Sequence, residues 1–312
     1  MRTARPSRSS GSDVRARHEP VLLAETLEML AVSNKGLYVD GTLGLAGHAR
    51  AILNASAPEG RLIAFDRDGE TLEEAKHALG EFGGRVRYVH DDFRTIPQVL
   101  GRERASGILL DLGVSSVQLD TATRGFSFQA DGPLDMRLDR SQGPTAAEIV
   151  NRLGERDLAD VIYRFGEEHA SRQVARAIVD ARRRGEIVTT AELAAIVRRS
   201  ARGRPGLDPA TRTFQALRIF VNKELEGLDG ALREIAACLA PGGRLAVIAF
   251  HSLEDREVKQ AFRALSVEGY RLLTKKPIRP GEEEIRRNPR ARSAKLRVIE
   301  SIPTAHTLRE VA

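Results

Sequence analysis

The chain has 312 residues, 41% of them hydrophobic, with a formal net charge of +6 and one cysteine, Cys238. That length and apolar content can bury the core of one large domain or two smaller ones. A single cysteine excludes a disulfide framework and fits a reducing cytoplasm, and no apolar run approaches the ~20 residues that span a bilayer.

Residues 1–17 read as a disordered basic tail, rich in Ser, Gly and Arg, without the apolar segment of a secretory signal. A helix is expected over Val21–Leu30, where Leu22, Leu23, Leu27 and Leu30 share one face. A short apolar run then ends in Asp40 and feeds glycines 41, 44 and 47, after which a helical pattern starts. Strand, glycine-rich turn and helix N-terminus together are how α/β folds hold nucleotide-like ligands. The second strand, Arg61–Asp66, ends in a carboxylate of the kind a ribose needs. A helix over Gly69–Leu79, a strand over Val86–His90 and a fourth strand over Gly107–Asp111 follow, a rhythm that predicts βαβ units and a parallel sheet.

After Asp111 the rhythm breaks. Residues 120–210 read as a helical insertion, with Thr189 and Thr190 before Glu192 as an N-cap. Helices over Thr211–Leu239, strand five over Arg244–Phe250 and a helix over Leu253–Leu265 resume the α/β pattern, and strands at Tyr270–Thr274 and Lys295–Glu300 are expected to form a closing hairpin. Cations gather in three places. Residues 1–17 hold five arginines against one acid, residues 172–204 nine against three acids, and residues 286–297 six cations with no acid. Such clusters suit a polyanion, although each also fits a solvated face of an Arg-rich helix.

Several ordered motifs are shared with one family. They include His18-Glu-Pro-Val-Leu22, Asp40-Gly-Thr-Leu-Gly44 with Gly47-His48, Asp111-Leu-Gly-Val-Ser-Ser116 with Gln118-Leu-Asp120, and Arg124-Gly-Phe-Ser-Phe128. Gly132-Pro-Leu-Asp-Met-Arg137, Ala210-Thr-Arg-Thr-Phe-Gln215, Ala240-Pro-Gly-Gly-Arg244, Phe250-His-Ser-Leu-Glu-Asp-Arg256 and Asn288-Pro-Arg-Ala-Arg-Ser293 continue the series. From His18 to the last strand the chain resembles the bacterial 16S ribosomal RNA (cytosine-N4) methyltransferase H family, also called MraW. The resemblance implies a class I, Rossmann-like methyltransferase using S-adenosylmethionine, with a mainly parallel seven-stranded sheet. Its methyltransferase domain would comprise residues 18–119 and 211–312, with the all-helical insertion 120–210 recognising RNA.

The implied activity is N4-methylation of a cytidine in the decoding region of 16S rRNA, within the small ribosomal subunit, in the cytoplasm. The implied cofactor contacts are Ala46, Gly47 and His48 in the turn, Asp66 on the ribose, Phe93 by the adenine, and Asp111 with Gln118. Ala46 stands where the family often has glycine, and its methyl group is tolerated at negative φ. Val117 stands where many members have Pro or a polar residue.

Methyl transfer to an amine is mostly a matter of orientation, but cytosine N4 is a poor nucleophile and gains from an acceptor on its N–H groups. Asp111 is the expected catalytic residue because it ends strand four, where open parallel sheets bind ligands; capping the next turn is its alternative role. His48 either meets the cofactor or caps its helix. Phe126 and Phe128 either stack on an extruded base or plug the joint between sheet and insertion. His251 and Ser252 border the acceptor side, or Ser252 caps a helix. Arg172–Arg204 and Asn288–Arg297 are the candidate RNA-backbone contacts. No metal site is expected, since the seven histidines and one cysteine show no ligand spacing. The sequence leaves room for a homodimer. Three rival readings are a dehydrogenase, which needs a different glycine spacing, a non-catalytic RNA-binding assembly factor, and a DNA amino-methyltransferase.

Overall fold

A computed structural model describes residues 20–201 and 206–303. The tail 1–17, His18 and Glu19 of the first motif, and Arg202 and Arg204 of the central cation cluster lie outside the described residues.

The first half alternates as expected. Helix α1 (Leu23–Leu30) precedes β1 (Leu37–Asp40), α2 (Gly47–Ala55), β2 (Arg61–Asp66), α3 (Gly69–Ala78), β3 (Val86–His90), α4 (Ile96–Leu100) and β4 (Ala105–Asp111). Asp68 starts α3 by accepting from the backbone N–H groups of Glu70 and Thr71, which would otherwise lack partners in the first turn. After β4 come α5 (Ser116–Asp120), α6 (Ala146–Arg152), α7 (Glu155–Gly166), α8 (Ser171–Arg182), α9 (Thr190–Ser200) and α10 (Ala210–Asn222). The expected Thr189 cap of α9 is present as a capping box with Glu192. The chain then returns through α11 (Leu228–Ala236), β5 (Leu239–Ala249), α12 (Ser252–Leu265), β6 (Tyr270–Leu272), α13 (Glu282–Arg287) and β7 (Lys295–Ser301).

The seven strands lie in the order β3-β2-β1-β4-β5-β7-β6. The five strands from β3 to β5 are parallel, and β7 is antiparallel to both β5 and β6. This is the α/β fold with a mainly parallel sheet that the motifs implied. The expected closing hairpin is present, with β6 and β7 paired antiparallel, and β7 joins it to the rest of the sheet by also taking the edge of β5. Local alternation reveals two strands, whereas strand order is set by which edge remains unpaired when the sheet assembles.

Apolar side chains pack on both sheet faces. Ile108, Leu110 and Val247 meet α4, α11 and α12 on one face, while Leu109, Ala246 and Ile248 meet α1, α2 and α3 on the other. A third apolar core joins Phe126, Leu134 and Met136 to α6 through α9, and takes Ala210, Phe214 and Leu217 of α10 with them. Among the described residues, no helix is long and apolar enough to cross a membrane.

Candidate active site at the carboxyl edge of the sheet

The chain runs outward from β1 to β3 on one side and restarts at β4 on the other, so β1 and β4 flank the switch point of the sheet. Open parallel sheets hold ligands above such a point. A cavity of about 360 Å³ lies there, within the ~300–1,000 Å³ of small-molecule sites. Three neighbouring strands each end in a carboxylate, Asp66 from β2, Asp40 from β1 and Asp111 from β4, and of these Asp66 and Asp111 line the cavity.

The glycine turn is built against this edge. Gly44 has φ +51, and its N–H donates to Asp66 Oδ2 at 2.9 Å. Asp66 Oδ1 accepts from the Asp68 N–H at 2.8 Å, so one carboxylate fixes both the turn and the exit of β2. Burial, opposed by these two bonds, pushes its pKa up to about 6. Ala46 departs from expectation. It caps α2 at φ +63, in the left-handed region rather than at negative φ, because the turn must reverse direction within one residue before the helix begins. An L-residue there carries roughly 1–2 kcal/mol of steric cost. Gly47 could not be replaced without displacing Pro20, since a Cβ would lie 2.3 Å from its Cγ.

Asp40 had a place in the motif but no assigned role. It is 1% exposed, its Oδ1 accepts from the Thr42 N–H, and burial pushes its pKa up to about 7. Asp111 sits beside it. The Asp111 N–H donates to the Thr42 hydroxyl at 2.6 Å, while Asp111 Oδ1 is buried with no hydrogen-bond partner among the described residues. Burial first, then the nearby Asp40 and Glu254 charges, hold Asp111 well above the usual carboxylate range. His48 Nε2 is 3.7 Å from Asp111 Oδ2. Phe93 is buried in the core and also lines the cavity.

Gln118 lines the cavity, but its polar atoms serve the fold. Oε1 accepts from the Ser115 N–H in a capping box, and Nε2 donates to Asp68 Oδ2 at 2.8 Å. The same Asp68 oxygen accepts from Arg124, which also donates to the Arg137 and Leu138 carbonyls. Sequence reasoning missed Asp68 and Arg124. A helix-capping Asp was readable before Gly69 and Glu70, but its buried arginine lies 56 residues away in the chain.

The far wall comes from α10 and the start of α12. His251, not Ser252, caps α12, accepting at Nδ1 from the Glu254 N–H, while the Ser252 hydroxyl donates to Glu167. Glu254 is buried; its charge survives because the adjacent His251, then Arg218, outweigh the burial that opposes it. Arg218 binds Glu224 through two bonds of 2.8 and 2.9 Å and lies 4.0 Å from Glu254. Glu224, His251 and Glu254 bring ligand-type atoms within 4.8 Å of one another, a grouping invisible to His/Cys spacing, and Arg218 supplies the cation within it.

Phe126 and Phe128 are plugs. Phe126 is buried in the helical core, and Phe128 packs edge-on against Phe214 with centroids 4.8 Å apart. The cation clusters also thin out. Arg182 is spent on the Val150 and Leu153 carbonyls, and Lys295 and Arg297 both pair with Asp255. Arg172, Arg184 and Arg199 remain exposed, and Asn288 and Arg290 line the cavity mouth.

The model of the MraW methylase family matches residues 15–302. The chain belongs to that family. Two curated relatives are each called "Ribosomal RNA small subunit methyltransferase H". One, from Geobacter sp. (strain M21), is 50% identical over 307 residues, covering 91% of this chain and 98% of its own. The other, from Acidobacterium capsulatum, is 51% identical over 296 residues, covering 92% and 99%. A solved structure of a putative rRNA-methylase from Clostridium thermocellum has a TM-score of 0.47 at 11% identity, covering 91% of this chain and 99% of that chain.

As an MraW methylase the chain needs a methyl donor, and the cavity fits S-adenosylmethionine. It offers an apolar ring at Phe93, carboxylates at the ends of two strands, and in Asp111 Oδ1 a buried acceptor without a partner among the described residues, suited to a cationic ligand.

Proposed function

We propose that this methylase transfers a methyl group to N4 of a cytidine in the decoding region of 16S rRNA within the small ribosomal subunit. S-adenosylmethionine supplies the electrophilic methyl when bound. Asp66 accepts the ribose hydroxyls, Phe93 packs against the adenine, and the Ala46–His48 turn and Gln118 close around the rest. Asp111 holds the N4 amine and takes its proton. The observation that carries this reading is the unpartnered Asp111 oxygen at the end of β4, in a cavity that the glycine turn and α10 wall together.

Residues 18–119 and 211–312 form the methyltransferase unit in this reading, and 120–210 the RNA-recognising unit. The relatives' printed name supports ribosomal RNA of the small subunit as the substrate class. Exposed Arg172, Arg184 and Arg199, with Arg290 at the cavity mouth, grip the phosphate backbone. Their role requires log affinity for RNA to fall steeply with log salt, and a flat response removes it.

The decisive experiment incubates the protein and labelled S-adenosylmethionine with small subunits from a strain lacking this gene, with naked 16S rRNA and plasmid DNA alongside. Nucleoside mass spectrometry then identifies the product. N4-methylcytidine from the subunits alone is expected. Methylation of DNA supports a DNA amino-methyltransferase instead. Binding of the donor without transfer to any of the three leaves an assembly factor as the better reading.

A further inference from the structure

Asp111 is surrounded by groups that make a permanent negative charge costly. On β1, Asp40 is 1% exposed and shares Thr42 with it, since Thr42 donates its N–H to Asp40 and accepts at its hydroxyl from the Asp111 N–H. From α12, Glu254 contributes a second buried carboxylate. On β2, Asp66 bears on Asp40 in turn. Three cationic or potentially cationic groups face the cluster. Arg218 of α10 is already bound through two donors to Glu224, His251 at the start of α12 lies 3.1 Å from Glu254, and His48 of α2 is 3.7 Å from Asp111 Oδ2. Asp111 Oδ1 meanwhile accepts no hydrogen bond from the described residues. A half-buried carboxylate whose one fully buried oxygen is idle, among other acids, is stable as the neutral acid until a cation arrives.

We propose that Asp111 is a carboxylic acid in the ligand-free protein, gives up its proton when the cationic methyl donor binds, and regains one from the N4 amine in the same turnover. The last step rests on the reading of Asp111 given above; the first two do not. The balance closes. The sulfonium carbon–sulfur bond breaks with its electron pair staying on sulfur, the N4–carbon bond forms from the nitrogen pair, and one N4–H proton passes to Asp111. A positive sulfur facing a carboxylate becomes a neutral thioether facing a neutral acid, which is the resting state of the protein. Asp111 is therefore a base only while a methyl group is available, and the spent cofactor is held by a site that no longer has a matching charge.

The test is calorimetric and needs no RNA, so its result does not depend on whether the substrate assignment is correct. S-adenosylmethionine and S-adenosylhomocysteine are each titrated into the full chain in two buffers of different ionisation enthalpy. Working at about pH 6.5 keeps both ligand amino groups protonated, below their ordinary pKa of ~8. The methyl donor is expected to release about one proton more than the thioether, and its relative affinity to rise by up to about tenfold per pH unit. The extra proton should vanish in Asp111→Asn. Infrared difference spectra of the wild type should lose a carboxylic-acid band with the donor and keep it with the thioether, which serves if the variant does not fold. Equal proton release by the two ligands, or an unchanged carboxylic-acid band, overturns the proposal. So does an extra proton that survives Asp111→Asn and disappears instead in His48→Gln or Asp40→Asn.

Discussion

Arg124 Nη1 lies 2.6 Å from Asp68 Oδ2, and both side chains are buried. This pair joins the exit of β2, where the cofactor's ribose is expected, to the segment that leads into the helical layer. Through Gln118 it also holds the turn after β4. Burial alone would raise the Asp68 pKa, but the Gln118 bond and the Arg124 charge hold it below its ordinary value. Arg124→Met leaves that carboxylate buried without its cation. A stability loss of about 3–5 kcal/mol is expected from urea unfolding. A loss under about 1 kcal/mol would mean that Asp68 finds water or another partner.

Asp40 predicts how ligand-free stability depends on pH. Its carboxyl titrates near 3.8 when unfolded and at about 7 when folded. Between these values the unfolded chain has released a proton that the folded chain keeps, so stability falls as pH rises from about 4 to about 7 and then levels. Asp40→Asn keeps the acceptor for the Thr42 N–H and removes the titration. The variant should gain on the wild type across that window, by up to about 4 kcal/mol at about 1.4 kcal/mol per pH unit. Denaturation midpoints at four pH values would check it; parallel curves for the two proteins rule it out.

Asp66→Asn should weaken S-adenosylmethionine and S-adenosylhomocysteine alike, since both carry the same ribose. Losing charged hydrogen bonds worth roughly 1.5–3 kcal/mol corresponds to about a 10- to 100-fold rise in Kd by calorimetry. A variant that discriminates between the two ligands would instead place Asp66 near the sulfur.

Gly125 has φ +73, and a Cβ there would lie 2.3 Å from the Pro133 carbonyl oxygen and 2.6 Å from the Asp135 nitrogen. Neither backbone atom can retreat, because Asp135 Oδ1 accepts from Arg137 while the Asp135 carbonyl accepts from Ala146. Gly125→Ala should cost at least about 2 kcal/mol, from left-handed strain and overpacking together. A thermal melt unchanged within error would show that this loop can shift as a body.

Much of the site can be read along the chain because its parts are local. Asp40, Gly44, Gly47, Asp66 and Asp111 sit at strand ends and in one turn, where a period of two stops and glycines begin. The alternation of strands and helices likewise implies the parallel sheet, since each unit buries its own apolar face. What required the tertiary structure was long-range pairing. Arg124 finds Asp68, Arg218 gathers Glu224 and Glu254, and Lys295 and Arg297 turn inward to Asp255 instead of outward to a polyanion. The order of β6 and β7 and the positive φ of Ala46 belong to the same class. Local pattern reports which residues want burial or a turn, whereas a buried charge is tolerated only where folding delivers its partner, and no spacing along the chain encodes that meeting.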